Sequence, residues 1–224
     1  LIGINLQQVA RQLDRDGRMY SDPLNPVLTQ IDDLRKDFFE TENQKDKNKL
    51  KQQFEGIQIT LKTTLDKALE DDKRLKTIAQ FDQLTQWQPF NDHHSAPFFD
   101  PLYMFGIKQG FDVVIGNPPY VNIERIDDVT KKALAEQYKT CKGRTDLYVA
   151  FIEKTLNNLN PNGILFFIIP YAFTNQNYGS LSRELLVNNY FVYEIVDTSN
   201  YLIFENAMVK NIILAVRNSK NQGE

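Results

Sequence analysis

Residues 111–120 read Phe-Asp-Val-Val-Ile-Gly-Asn-Pro-Pro-Tyr, and no other stretch constrains the fold so tightly. Phe111 to Ile115 is a short run, apolar apart from Asp112 and rich in β-branched residues, that stops at Gly116. A run of this kind bounded by turn residues predicts a strand buried on both faces at the centre of a parallel sheet. Gly116 frees the backbone where the strand ends. Pro118 and Pro119 then fix two successive φ angles and remove two N–H donors. The result is a rigid ledge. It offers the Asn117 side-chain oxygen and the Pro118 carbonyl as acceptors, with the flat Tyr120 ring beside them. In open α/β sheets, ligands bind outside the carboxyl ends of the strands, and the ledge lies at one.

Two acceptors beside an aromatic plane suit a planar amino group conjugated to a ring. Its lone pair is delocalised and poorly nucleophilic. Acceptors that each take one N–H draw the nitrogen toward a pyramidal geometry and free the lone pair. An aromatic ring holds the base by stacking. In duplex DNA such a base must first leave the stack. The plain alternative is a buried strand with a proline turn and no chemistry. That alternative suits an isolated Pro-Pro pair better than the whole string.

Asn117-Pro118-Pro119-Tyr120, after Phe-Asp-Val-Val-Ile-Gly, resembles the catalytic motif of amino-group DNA methyltransferases that form N6-methyladenine. The chain is similar to the large adenine methylases of type II restriction–modification systems, in which methylase and nuclease are often fused. Gly143-Arg144-Thr145-Asp146-Leu147-Tyr148, followed by Phe151, resembles the helix start that borders the cofactor's adenine in that family. The resemblance implies S-adenosylmethionine as cofactor, with Asn117 and Asp146 close to it and Phe151 against its adenine ring. Taken alone, Asp146 is equally a capping residue and Phe151 a core residue. Ile203-Phe204-Glu205, then Ala207 and Val209, resembles the segment whose phenylalanine packs on the flipped base. Phe204 and Tyr120 are therefore the implied stacking pair, and Asn117, Pro118, Pro119 and Tyr120 the implied catalytic set. The similarity is close over residues 108–218 and looser upstream. It implies double-stranded DNA as partner and a bacterial or archaeal cytoplasm as location.

The departures from that family are specific. Its cofactor loop is glycine-rich, yet no two glycines here are separated by a single residue. No strand ending in an acidic residue precedes Phe111. The expectation is a piece of a longer polypeptide that begins at Leu1 rather than Met and holds the second half of the catalytic domain. The rest of the parent would supply the cofactor loop and the target-recognition domain, and the piece alone would be inactive. No Pro-Asp with a following acidic-x-Lys pair marks a nuclease site. Two rival functions remain: methylation of a protein glutamine amide, which is also a planar amino group, and a non-catalytic scaffold role in a phage-defence complex.

The expected class is α/β: a partial Rossmann-like methyltransferase sheet with a charged helical hairpin before it. Residues 1–80 form the helical segment. Leu6, Val9, Ala10 and Leu13 fall at helical spacing, residues 21–26 read as a connector, and the hairpin occupies about 27–80. Leu28, Ile31, Leu34 and Phe38 mark its first stripe, the polar stretch 41–49 its turn, and Leu50, Phe54, Ile57, Leu61 and Leu65 its second stripe. Its mixed charges favour a solvated support over a DNA-facing arm. Residues 81–110 are an irregular aromatic connector, 111–218 the catalytic half and 219–224 a tail. Within the catalytic half the pattern predicts helices at 129–138, from 147 onward and at 180–188. Asp127 or Asp128 caps the first and Thr145 or Asp146 the second. Strands fall at 164–169, 191–196 and 211–216, and residues 160–163 form a turn.

Composition narrows the classes further. The chain has 224 residues, 42% hydrophobic, with 15 Phe and 10 Tyr, enough for a sizeable core. A net charge of -3 excludes a compact basic domain that binds DNA unaided. The lone Cys141 rules out an internal disulfide and fits a reducing compartment. Residues 164–173, the longest apolar run, contain Pro170 and are too short to span a bilayer. His93 and His94 are adjacent, point apart on a strand and lack companion ligands, so no metal site is expected.

Overall fold

The computed structural model describes residues 21–69, 85–91, 93–94, 96, 98–201, 203 and 209–219. Contacts divide the chain into two units, Leu1–Lys108 and Gln109–Glu224. Among the described residues, no helix is long and apolar enough to cross a membrane.

In the first unit, α1 (Ser21–Glu40) and α2 (Gln44–Leu69) form the hairpin. Residues 21–26 belong to α1 and are not a connector, although Pro26 lies inside the helix. Near a helix start a proline forfeits only one ladder bond. The polar stretch 41–49 likewise contains a turn of only residues 41–43. The Asn43 side chain accepts from Lys45 N at 2.8 Å, which fixes the start of α2, so the later polar residues are a solvent-facing helical turn. Val27, Ile31 and Leu34 of α1 meet Phe54 and Leu61 of α2 in one core, which Trp87, Phe98 and Tyr103 complete. The aromatic connector thus packs against the hairpin. It contains the short helix α3 (Pro101–Phe105), capped by Asp100, whose carboxylate accepts from Tyr103 N at 2.8 Å. His93 and His94 are exposed.

The second unit is a sheet with helices. Its elements are β1 (Phe111–Gly116), α4 (Asp128–Gln137), α5 (Leu147–Leu156), β2 (Leu159–Pro170), α6 (Ser180–Asn189), β3 (Phe191–Asp197) and β4 (Asn211–Arg217). The strand order is β1-β2-β4-β3. β1 runs parallel to β2, while β4 is antiparallel to both β2 and β3. On one face Leu165, Phe167 and Ile169 of β2 and Leu214 and Val216 of β4 are buried against Tyr148, Val149, Ile152 and Leu156 of α5 and Leu186 of α6. On the other, Val113 and Ile115 of β1 are 53% and 78% exposed. That face is uncovered, and β1 lies at one end of the strand order among the described residues, whereas its composition predicts a central strand. Composition reports how much burial a strand tolerates; which strands flank it is set by distant parts of the chain.

Residues 160–163 do not form a turn between elements. They lie inside β2 as an irregularity, with Asn162 at φ 68° and a register shift opposite Phe111 and Val113. Gly110, just before β1, has φ 99°, and a Cβ there would sit 2.6 Å from the Asn158 carbonyl oxygen and 2.7 Å from Asn160 N. Both neighbours are backbone and cannot yield cheaply. Gly110→Ala is therefore expected to cost about 3 kcal/mol or more. Chemical denaturation of the full-length protein checks this, and a loss below about 1 kcal/mol contradicts it.

Candidate active site

The ledge follows β1 at its carboxyl end, beside the parallel strand β2. Asn117 is exposed, Pro118 buried, Pro119 exposed and Tyr120 half-buried. Pro118 therefore anchors the turn while Asn117 remains accessible to a ligand. The need for glycine at 116 differs from the expected one. Its φ is not positive, but a Cβ would come to 3.0 Å from the Phe167 ring, so a larger residue would press on that ring.

Tyr120 is held at both ends. Its hydroxyl donates to the Ile168 carbonyl at 3.1 Å, near the carboxyl end of β2. Burial raises its phenol above the usual range, so it stays a neutral donor at working pH. Its ring meets that of Tyr148 edge-on, 6.2 Å between centroids and 76° between planes, a favourable aromatic geometry. Tyr148 is fully buried. Its hydroxyl donates to that of Tyr178 at 3.1 Å, and the two rings lie 6.4 Å apart. A line of aromatic rings thus runs from the ledge to Tyr178.

The chain leaving the ledge is strapped to the start of α5. Leu147 N donates to Val121 O at 2.8 Å and Ile123 N to Thr145 O at 2.9 Å, and Asn122 faces Asp146 in an isolated antiparallel bridge. Two strings far apart in sequence are thereby joined, and Asp146 is brought beside the loop that issues from Tyr120. Asp146 precedes α5, yet its side chain makes no capping bond. Burial raises the Tyr178 phenol, and the Asp146 carboxylate pushes it the same way. Thr145 does not cap either; its hydroxyl oxygen is buried without a hydrogen-bond partner. By contrast Asp127 does cap α4, accepting from Thr130 N at 2.8 Å. Phe151 is half-buried and packs on the same apolar cluster as Tyr120 and Val114. Phe204 lies outside the described residues.

Several contributors carry no obvious mark in the sequence. Tyr148 and Tyr178 meet only through the fold. Glu153, on α5, is buried, and its carboxylate accepts from Lys139 N at 3.0 Å, Thr140 N at 2.9 Å and Thr140 Oγ1 at 2.7 Å. It anchors the loop that leads to Asp146. The one available signal is position: Glu153 follows Val149 by four residues and precedes Leu156 by three, which places a charge on the helix's apolar face. Nearby Cys141 is buried, and burial pushes its thiol up to about 11, so it is an inert packing residue. Among the described residues, no His, Cys, Asp and Glu side chains gather as a metal site would require.

This arrangement offers an exposed amide acceptor at Asn117 beside a fixed ring at the mouth of a parallel strand pair. The description "Eco57I restriction-modification methylase" fits residues 1–204. Type II methyltransferase M.BstVI of Geobacillus stearothermophilus is 40% identical over 111 residues, 50% of this chain and 20% of that protein. Type II restriction enzyme and methyltransferase RM.Eco57I of Escherichia coli is 30% identical over 107 residues, 46% of this chain and 11% of that protein. Type II methyltransferase M.XhoI of Xanthomonas vasicola is 34% identical over 110 residues, 49% of this chain and 19% of that protein. The matching stretch therefore spans from 11% to 20% of these relatives' length. Matched along nearly all of its length, the chain belongs to the Eco57I restriction-modification methylase family.

Proposed function

We propose that this chain is part of the catalytic domain of an S-adenosylmethionine-dependent DNA methyltransferase that modifies N6 of adenine within a restriction–modification system. The observation that carries the reading is the ledge itself: Asn117 exposed at the end of β1, Pro118 anchored and Tyr120 pinned through Ile168 and Tyr148. The Asn117 amide oxygen and the Pro118 carbonyl accept the two amino hydrogens of a flipped adenine, and Tyr120 stacks on the base. Phe204 is the second stacking ring in this reading. The contribution of these groups is positioning and electrostatics, aimed at the nitrogen as its lone pair becomes available.

The residues beside the ledge fit the cofactor's chemistry. Asp146 and the Asn117 oxygen are acceptors for its amino and hydroxyl groups, and Phe151 offers an aromatic face. When bound, the cofactor supplies a methyl group on a positively charged sulfur. Val113 and Ile115 leave an apolar face of β1 uncovered, as expected where further polypeptide packs on that face of the sheet. That polypeptide, in this reading, carries the glycine-rich cofactor loop and the target-recognition domain, and the enzyme works on double-stranded DNA in a prokaryotic cytoplasm.

The test is to offer the full-length protein labelled cofactor with both duplex DNA and protein acceptors. Label in DNA supports the reading. Label in a protein glutamine amide, or none in either with cofactor bound, sinks it in favour of a protein methylase or a scaffold.

A further inference from the structure

We infer that the cleft between residues 142–144 and the start of α6 holds a phosphate of the DNA backbone close to the target base. This rests on the reading of the ledge as a DNA-modifying site.

The cleft has a volume of about 360 Å³ and is lined by Lys142, Arg144, Gln176, Asn177, Tyr178 and Ser180, with Leu181 as its apolar member. Two cations, two amides, a phenol and a hydroxyl are the side chains that most often contact phosphate and sugar oxygens. α6 opens at Ser180 directly after the turn at residues 177–179, and Ser180 N donates to Asn177 O, so the cleft's anion-binding character rests on its side chains. Arg183 shapes the loop from below, donating to Phe173 O at 2.6 Å and Gln176 O at 2.9 Å. Lys142 Nζ donates to Ala135 O at 2.6 Å, which places its charge while leaving donors to spare.

Position links the cleft to the ledge. Residues 171–180 follow the carboxyl end of β2, the strand parallel to β1. Tyr178, a wall of the cleft, stands 6.4 Å from Tyr148, which stands 6.2 Å from Tyr120. The wall is therefore at most about 13 Å from the stacking ring, roughly four nucleotides of rise along one strand. The chain is acidic as a whole, so attraction to DNA requires local groupings of cations such as this one. Arg144 is meanwhile paired with Glu124, at 2.9 Å through Nε and 3.0 Å through Nη2. Both partners are exposed, so water screens the pair and a phosphate oxygen can compete for the guanidinium.

The experiment uses the full-length protein and mixed-sequence duplex DNA, with affinity followed against salt. Lys142→Ala combined with Arg144→Ala is expected to weaken binding about tenfold at low salt, equally for all sequences, and to flatten the slope of log affinity against log salt by about 1 to 2. Glu124→Gln acts in the opposite sense and tightens binding, because it releases Arg144. Arg144→Lys retains the slope while losing the forked pair, which separates lost charge from lost packing. Affinity and slope unchanged in the double variant, while the wild-type protein methylates DNA, overturn the cleft and leave the ledge standing. A wild-type protein that neither binds nor methylates DNA overturns both.

Discussion

Asn117→Ala is expected to lower methyl transfer by the full-length protein by about 10²–10³-fold or more while shifting its unfolding midpoint little. The size follows from the role proposed for the amide. Pro118 O can still accept one amino hydrogen, but the second acceptor is gone and the nitrogen keeps its delocalised lone pair. The small effect on stability follows from exposure: Asn117 is open to solvent, whereas the turn is held by buried Pro118 and by the Tyr120 hydroxyl on Ile168 O. Rates from single turnovers with saturating cofactor, together with thermal unfolding of the same preparation, check both parts. Unchanged turnover removes Asn117 from the chemistry. A collapse of stability assigns it to the scaffold instead.

Glu153→Leu is the second large effect. The carboxylate is buried and accepts from the Thr140 amide and hydroxyl and from the Lys139 amide. Leucine fills much of the space but accepts nothing. Each buried donor left unpaired costs about 1–3 kcal/mol, so a total of about 3 kcal/mol or more is expected. The loss is local in origin, because residues 138–141 lead into the string that ends at Asp146. Denaturant unfolding of the full-length protein reads the stability, and cofactor titration reads whether the loop still presents Asp146. Stability within about 0.5 kcal/mol of wild type shows that water replaces the carboxylate and that the anchor is dispensable.

The legible and the hidden parts of this fold divide along sequence distance. The strand at Phe111–Gly116 and its rigid sequel are written in neighbouring residues, so apolar run, glycine and paired prolines suffice to place them. The same holds for the Asp127 cap and for the stripes Ile31–Leu34 and Phe54–Leu61. What depends on partners elsewhere is not written in neighbouring residues. β1 looks central by composition but lies at one end of the strand order among the described residues. Asn160 to Gly163 look like a turn but are absorbed into β2 opposite Phe111. Residues 21–26 look like a linker because prolines punctuate, yet they form the start of α1. In the site, the four ledge residues lie together, and Asp146 joins them through the Asn122 bridge. No periodicity could disclose that Tyr148 backs Tyr120 or that Tyr178 backs Tyr148. Glu153 stands among charged and apolar neighbours as if it were an ordinary surface residue, and only its place on the apolar face of α5 hints otherwise.

The most direct test of the central claim is the identity of the modified nucleoside. The full-length protein and its Asn117→Ala form are each incubated with S-adenosylmethionine and duplex DNA, and the DNA is digested and read by mass spectrometry. The account predicts N6-methyladenine from the wild-type protein and essentially none from Asn117→Ala. A methylated cytosine, or N6-methyladenine undiminished by the substitution, would contradict it.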